Sequence, residues 1–301
     1  MYTIQQTTTY PRATLQANLV LQRRRRMMRL YVQLFPRYLI CVLVAIFVLV
    51  PILTAFIGGF KTSGELLNSP FSLPIAWRWQ NYANVLTQGA FWQAAENSIL
   101  VMLATVALLM VIACPVSFVF ARMPFRGREV IFNIMLIGLL FPFAMAILPL
   151  YITLRTFHLI DTLLAVILPQ VAFGLPVTIL ILRNFFRDVP QELEDATYID
   201  GGTQIDFFWR VLIPLARPAL ATVGMLTMVA SWNNFLLPLL VLNSPQLWTL
   251  PLGITQFQSQ YSTDWASVMA FISIAMIPAI IFYLFAERYL ISGLTAGAVK
   301  G

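Results

Sequence analysis

The sequence contains six apolar runs, each long enough to cross a lipid bilayer as a helix. A hydrocarbon layer of about 30 Å requires roughly 20 helical residues. With 59% hydrophobic and 10% charged residues, the composition lies far outside the range of soluble globular domains. The sequence therefore predicts an all-α integral membrane protein with six transmembrane helices, at Leu39–Phe60, Ala94–Phe120, Val130–Leu154, Leu163–Leu182, Pro218–Asn243 and Trp265–Ala286.

The first run follows an arginine-rich segment, as the core of a signal peptide would. A signal core is about 7–15 residues long, whereas this run extends over roughly 22 residues, and no small-residue cleavage site precedes Lys61. We therefore expect an uncleaved span, preceded by a tail that is poorly ordered over its polar residues 1–22. The predicted organisation is an N-terminal tail (1–36), a first span (37–60), an outer loop (61–92), a five-helix core (93–288) and a C-terminal tail (289–301).

The basic residues are distributed unequally between the two sides of the predicted membrane. Alternate assignment of the loops puts sixteen Lys and Arg residues on the side of both termini, and only Lys61, Arg78 and Arg155 on the other. Cytoplasmic loops of membrane proteins carry an excess of Lys and Arg. This asymmetry predicts that both termini and the 188–214 loop are cytoplasmic. It also accounts for the net charge of +7 without nucleic-acid binding.

The first half of the 188–214 loop has the signals of a short helix that ends in a glycine elbow. Asp188 with Gln191 is a candidate capping pair, with Pro190 in the first turn, where its missing N–H costs nothing. Gly201-Gly202 would end the helix. Because a helix commonly ends with a glycine in the left-handed conformation, we expect Gly201 to have a positive φ.

The second half of the loop predicts a second short helix. Thr203 followed by Asp206 is a helix-start signal, and Pro214 would end the helix. The pattern between them places four apolar residues on one face: Ile205, Phe208, Trp209 and Leu212. We therefore expect an amphipathic hairpin whose apolar face packs against the membrane surface or a partner protein.

The spacing in this hairpin resembles the EAA loop of ATP-binding-cassette (ABC) importer permeases, which is Glu-Ala-Ala, three residues, Gly, nine residues and Ile-x-Leu-Pro. The resemblance implies that the loop docks on an ATPase subunit through an acidic residue. Asp195 holds that position, and Glu194 beside it is the alternative. The coupling residues it identifies are Glu194, Asp195, Ala196, Gly201, Phe208 and Pro214.

The resemblance extends beyond the hairpin, to the carbohydrate-uptake branch and the G-type subunit of maltose-type systems. It implies a type I importer permease fold in the inner membrane and several partners: a second homologous permease, an ABC ATPase dimer and an extracytoplasmic solute-binding protein. The segments that carry it are Ser231–Leu239 (SWNNFLLPL), Leu247–Gly253 (LWTLPLG), Asp264-Trp265 and Gly293–Gly301 (GLTAGAVKG).

The predicted spans hold amides and hydroxyls but hardly any ionisable residues, which favours an uncharged solute. Trp232, Asn233 and Asn234 form a polar and aromatic cluster in the fifth span. Amide groups can bond sugar hydroxyls, and an aromatic ring can stack on the C–H face of a sugar. The cluster is therefore a candidate solute pathway, and hydrogen bonding between helices is the alternative.

The remaining candidates for chemistry are weak. The sequence has no GxxxxGK[ST] loop, so we expect ATP to be hydrolysed on a separate subunit. His158, beside Asp161, predicts a surface histidine and neither a metal site nor a catalytic pair. Cys41 and Cys114 lie in different predicted spans and suggest apolar packing without a disulfide. Nothing in the sequence calls for a cofactor.

We therefore expect a permease subunit that moves a neutral solute, a sugar or oligosaccharide, inward by alternating access. A secondary carrier and a membrane-embedded enzyme are the alternatives from other classes. The first would be favoured by a charge at mid-membrane and the second by a catalytic cluster, and the sequence contains neither signal.

Overall fold

The computed structural model describes residues 12–258 and 263–298, with side chains at 34–258 and 263–284. The elements in these ranges are helices. They are α1 (Arg12–Gly58), α2 (Ser63–Asn68), α3 (Trp79–Thr87), α4 (Gly89–Arg122), α5 (Arg128–Ile137), α6 (Phe143–Thr156), α7 (Leu164–Asp188), α8 (Gln191–Ile199), α9 (Gln204–Asp206), α10 (Ile213–Leu215), α11 (Arg217–Trp232), α12 (Leu236–Val241), α13 (Leu250–Gly253) and α14 (Trp265–Ala298). Short 3₁₀ turns lie at Gly138–Leu140, Pro245–Leu247 and Ile254–Phe257, and a π-helical turn lies at Phe207–Leu212.

Six segments of the described chain are long and apolar enough to span a membrane, if each of two bent helix pairs counts as one span. The two pairs bend by 101° and 71°. The all-α membrane fold is therefore confirmed, with four to six candidate spans in the described chain, a range that includes the predicted six. The four single segments are Leu34–Gly58, Gly89–Arg122, Leu164–Asp188 and Trp265–Leu284, and the pairs are Arg128–Leu140 with Phe143–Thr156 and Gln204–Leu215 with Arg217–Trp232.

Two predicted spans are not continuous helices. The third breaks at Phe141, which is extended because a residue before proline, here Pro142, is disfavoured in the helical region. The fifth ends at Trp232 and resumes at Leu236. Pro238 lies in the first turn of the resumed helix, where the N–H that proline lacks is not needed.

The chain divides into two compact units, one up to Ala55 and one from Phe56 onwards. Helix α1 makes up the described part of the first unit, and most of its described side chains are exposed, as expected of a helix that faces lipid. The helix begins at Arg12, so the prediction of a poorly ordered segment is wrong for residues 12–22. No Gly or Pro occurs between Arg12 and Phe35, so nothing in this segment breaks a helix. Residues 1–11 lie outside the described residues.

The second unit is organised around the packing of α4 against α7, with α11 and α14 alongside. Leu109 and Ala113 of α4 are fully buried, as is Leu182 of α7. At the end of α4 and α7 nearest to α8, one apolar cluster combines Phe118 of α4 and Phe186 of α7 with residues of the π-helical turn. The 188–214 segment packs against α4 and α7 through this cluster.

Polar side chains at the opposite end of α4 form hydrogen bonds with the backbone that leads from α12 into α13. The Asn97 side chain donates to the carbonyl oxygens of Gln246 (2.8 Å) and Trp248 (3.0 Å). The Ser98 hydroxyl accepts a 2.8 Å bond from the Leu250 N–H. Both side chains therefore serve interhelical hydrogen bonding, the structural alternative considered for polar residues in the spans.

Candidate functional site

The predicted hairpin forms, but its first helix begins differently from the prediction. Helix α8 has Pro190 as its N-cap, without a side-chain capping bond. Asp188 is the last residue of α7, so the predicted capping pair of Asp188 with Gln191 is wrong. The acidic residues Glu192 and Glu194 lie in the first turn, where a carboxylate interacts favourably with the positive end of the helix dipole. We call residues 188–214 the elbow hairpin.

The glycine elbow is a Schellman motif, and each glycine is required for its own reason. The Gly201 N–H donates to the Tyr198 carbonyl (3.0 Å) and the Gly202 N–H to the Thr197 carbonyl (2.8 Å). Gly201 has a φ of +80°, which confirms the predicted positive φ. A Cβ on Gly202 would lie 2.9 Å from the Thr197 carbonyl oxygen. Gly201 is therefore required because its φ is positive, and Gly202 because a side chain there would clash with Thr197.

The second helix begins as predicted. The Thr203 hydroxyl accepts from the Asp206 N–H (3.3 Å), and the Asp206 carboxylate accepts from the Thr203 N–H (3.0 Å), which completes a capping box. The helical run does not end at Pro214 but continues to Leu215. Pro214 lies in the first turn of α10, where the missing N–H is tolerated.

The predicted apolar face of the second helix is only half correct. Phe208 and Leu212 are buried, but Ile205 and Trp209 are exposed, and Phe207 is buried instead. The π-helical turn from Phe207 to Leu212 is the reason. In a π-helix the hydrogen bonds join residues five apart, so Phe207 and Leu212 share a face that ordinary α-helical spacing would not give them.

Arg122, the last residue of α4, holds the elbow hairpin against the spans. Its guanidinium donates to the carbonyl oxygens of Phe186 (3.0 Å) and Val189 at the end of α7. It also forms an ion pair with Glu194 of α8 (3.5 Å) and lies 5.9 Å from the centre of the Phe207 ring. One side chain thus connects α4, the end of α7 and both halves of the hairpin. The sequence analysis counted Arg122 only as a basic loop residue.

The two adjacent acidic residues of the hairpin have different roles. The Glu194 carboxylate pairs with Arg122 and accepts a 2.8 Å bond from the Tyr198 hydroxyl, and its side chain is only 12% exposed. Removal of the Tyr198 hydroxyl from water and the neighbouring Glu194 raise the pKa of Tyr198. Asp195 is exposed. Of the two residues, Asp195 is therefore the one available to a partner.

The exposed side of the hairpin combines acidic and apolar groups. Ile199 is 85% exposed, Ile205 70% and Trp209 63%. Ala196 and Pro214 are also exposed, whereas Phe208, another predicted coupling residue, packs against Phe118 with ring centres 5.0 Å apart. Large apolar side chains on an otherwise polar segment indicate a contact surface.

A second arginine, Arg183, connects α7 to α4 and α5 and is itself buried. Arg183 of α7 is 3% exposed, donates to the Phe120 carbonyl (3.1 Å) and forms an ion pair with Glu129 at the start of α5 (2.5 Å). Its guanidinium stacks 3.8 Å from the centre of the Phe132 ring. The ends of α4, α5 and α7 are thereby joined beside the hairpin.

The three predicted solute-pathway residues do not converge on one space. Trp232 is buried edge-to-face against Phe282, with ring centres 5.4 Å apart. Asn233 is exposed, and its amide donates to the Val229 carbonyl of its own helix (2.9 Å). Asn234 lines a cavity of about 490 Å³, which Trp232 and Asn233 do not border. Trp232 and Asn233 instead share two smaller cavities, of about 180 and 310 Å³, which Asn234 does not line.

The other candidates from the sequence are structural. His158 is exposed, as predicted. The Asp161 carboxylate accepts from the N–H groups of Asn243 and Ser244 (both 2.8 Å) and from the Ser244 hydroxyl, and these bonds lower its pKa. Cys41 and Cys114 are free thiols.

Comparisons with known proteins place the chain among transport proteins. A family model described as "Binding-protein-dependent transport system inner membrane component" matches residues 113–295. The diacetylchitobiose uptake system permease protein NgcG of Streptomyces coelicolor is 35% identical over 261 residues, 86% of each chain. The arabinooligosaccharides transport system permease protein AraQ of Halalkalibacterium halodurans is 33% identical over 86% of this chain and 93% of AraQ.

The fold also matches a solved structure. One chain of a bacterial ABC transporter involved in the import of the acidic polysaccharide alginate has a TM-score of 0.73 and 22% sequence identity, over 94% of this chain and 99% of that chain. This likeness shows that the two chains share a fold.

Proposed function

The chain belongs to the family of binding-protein-dependent transport system inner membrane components, and we propose that it carries a neutral sugar or oligosaccharide into the cell. Members of this family are multi-pass permease subunits of ATP-driven importers and not enzymes. A separate subunit hydrolyses ATP, and a binding protein delivers the solute. The family therefore accounts for an exposed hairpin on a chain whose sequence has no nucleotide-binding loop.

The observation that carries the proposal is the geometry of the elbow hairpin. The Schellman motif at Gly201-Gly202 and the capping box at Thr203 hold the two short helices at a defined angle. Arg122 fastens them to the spans, while Asp195 stays exposed. We assign Asp195 as the residue that pairs with a basic group of the ATPase, because Glu194 is already engaged within the chain.

The proposed solute class rests on the relatives and on the cavity. The names of NgcG and AraQ state the uptake of diacetylchitobiose and the transport of arabinooligosaccharides. The cavity beside Asn234 has no Asp, Glu, Lys, Arg or His in its lining, which suits an uncharged solute. In this proposal Asn234 contacts the solute, and Trp232 and Asn233 border the path around the break between α11 and α12.

The proposed assembly has a second homologous permease beside this chain and an ATPase dimer under both. The elbow hairpin and both termini lie in the cytoplasm, as the distribution of basic residues supports. Orientation is tested with Thr203→Cys and Gln258→Cys, each in a chain whose own two cysteines are replaced. In intact cells, a membrane-impermeant thiol reagent should label only the Gln258→Cys chain, and labelling of Thr203→Cys would contradict the orientation.

Transport is tested by reconstituting the chain with its ATPase, second permease and binding protein in proteoliposomes. We expect ATP-dependent uptake of labelled diacetylchitobiose or arabinotriose, and no ATP hydrolysis by the isolated chain. Hydrolysis by the chain alone would support an enzyme instead. Uptake without the ATPase would support a secondary carrier.

A further inference from the structure

The cavity beside Asn234 combines an apolar wall with a small set of polar side chains. Its volume is about 490 Å³, within the range of sites that bind small molecules. The polar side chains come from three helices, α4, α7 and α11, and from the break after α11. The lining consists of Thr105, Phe143, Pro169, Gln170, Phe173, Gly174, Val177, Thr178, Val223, Leu226, Thr227, Ala230, Ser231, Asn234, Leu236 and Leu237.

Three polar atoms of this lining are buried without a hydrogen-bond partner in the described part of the chain: Thr105 Oγ1, Gln170 Nε2 and Ser231 Oγ. Thr105 is 1% exposed and Ser231 8%. Helical Ser and Thr hydroxyls ordinarily bond to the carbonyl four residues earlier, as Thr227 of the same lining does to Val223 (2.9 Å). A buried polar group without a partner destabilises the fold, so three of them around one space indicate a ligand that bonds to them.

The lining defines the chemistry of that ligand. The unpartnered atoms are two hydroxyls, which donate and accept, and an amide nitrogen, which donates. Phe143 and Phe173 lie edge-to-face on the same lining, with ring centres 5.2 Å apart, and offer an apolar wall. A ligand with several hydroxyls and a C–H face satisfies both parts. An acyl chain would leave the polar atoms unpaired, and an anion would meet no cation.

We propose that this cavity is a solute site within this subunit, and that it holds one ring of a neutral sugar during translocation. This inference rests on the proposed function and adds the contact residues Thr105, Gln170 and Ser231. They come from α4, α7 and α11, respectively, so the site is complete only when these helices are in one arrangement.

The position of Ser231 connects this site to the elbow hairpin. Only Ala216 separates α10 from α11, which begins at Arg217. Ser231 lies in the last turn of α11. A movement of the hairpin that shifts α11 therefore displaces Ser231 from Thr105 and Gln170. Dismantling the site in this way would release the sugar as the pathway opens.

The first experiment measures uptake by the reconstituted complex, with diacetylchitobiose and arabinotriose as probes at saturating binding protein. Thr105→Val, Gln170→Leu and Ser231→Ala should each reduce the sugar transported per ATP hydrolysed about fivefold, as expected for one lost hydrogen bond. Thr249→Val is the matched control, because the Thr249 hydroxyl is also buried and unpartnered in the described chain but lies outside the cavity. Its transport ratio should be unchanged.

A second experiment detects occupancy directly. Ser231→Cys and Thr249→Cys are made in a chain without its own two cysteines, and alkylation by a small thiol reagent is followed in the full complex. During turnover the probe sugar should slow alkylation of Ser231→Cys several-fold and leave Thr249→Cys unaffected.

The outcomes separate the two proposals. If the parent complex transports a probe but the three cavity variants match Thr249→Val and Ser231→Cys is unprotected, the cavity is not a solute site, although the chain is a sugar permease. Protection of Ser231→Cys by detergent or lipid alone would assign the cavity to an acyl chain. If the parent complex transports neither probe, the proposed function fails and the solute site fails with it.

Discussion

The elbow hairpin and the cavity differ in how their polar side chains are used. In the hairpin the polar groups bond to one another and to backbone: Thr203 with Asp206, and Glu194 with Arg122 and Tyr198. In the cavity, Thr105 and Ser231 are buried with hydroxyls that have no partner in the described chain. Polar groups that are hydrogen-bonded within the chain rigidify it, whereas buried polar groups without a partner can bond to a ligand. This difference fits the proposed roles, in which the hairpin transmits movement from the ATPase and the cavity binds the solute.

This difference predicts that backbone changes will be most harmful in the hairpin. Gly201→Val forces a β-branched residue to a φ of +80°, which costs roughly 1–2 kcal/mol and misaligns the two short helices. We expect ATPase association and transport to fall to background while membrane insertion stays normal. Co-purification of the ATPase and sugar uptake measure the two effects.

Gly127→Val is the matched control for Gly201→Val. Gly127 has a φ of +83°, and a Cβ at either glycine would meet no atom within 4 Å, so the local strain is the same. Gly127 lies outside the elbow hairpin, and its variant should keep ATPase association. If both variants lose association equally, general strain and not the hairpin is responsible.

A smaller effect is expected at the exposed carboxylate. Asp195→Ala leaves the elbow intact and removes one charge-assisted contact, worth about 1.5–3 kcal/mol, or roughly 10–100-fold in ATPase affinity. Asp195→Glu should remain active, because it retains the carboxylate. Asp200→Ala provides the control, since Asp200 is also exposed and is the C-cap of the same helix. Equal losses for Asp195→Ala and Asp200→Ala would show that only the net charge of the hairpin matters.

The smallest effect is expected from Arg122→Lys. The lysine keeps the positive charge but cannot reproduce the planar fork that bonds to Phe186 and Val189 and pairs with Glu194. We expect the sugar transported per ATP to fall by about threefold to tenfold, with ATPase association retained. Arg126→Lys is the control at an exposed arginine four residues further on. An unchanged ratio in Arg122→Lys would mean that Arg122 does not link the hairpin to the spans.

Short-range features of the hairpin were predictable from the sequence. The positive φ of Gly201 and the capping box of Thr203 depend on bonds between residues three to five apart, so nearby residue types are sufficient to predict them. The apolar face was mispredicted because the π-helical turn changes which residues share a side. That turn is stabilised by the burial of Phe207 against α4 and α7, which the local sequence does not reveal.

The sequence by itself determined the membrane class, the all-α fold and the presence of the elbow hairpin. These follow from the length of apolar runs, because lipid requires each span to bond its own backbone, and from local helix signals. Only the tertiary structure decided that Arg122 bonds to carbonyls 64 and 67 residues away, that Glu194 rather than Asp195 is engaged within the chain, and that a cavity joins Thr105, Gln170 and Ser231. Such features depend on how separate helices pack, and the periodicity of any one helix contains no information about its neighbours.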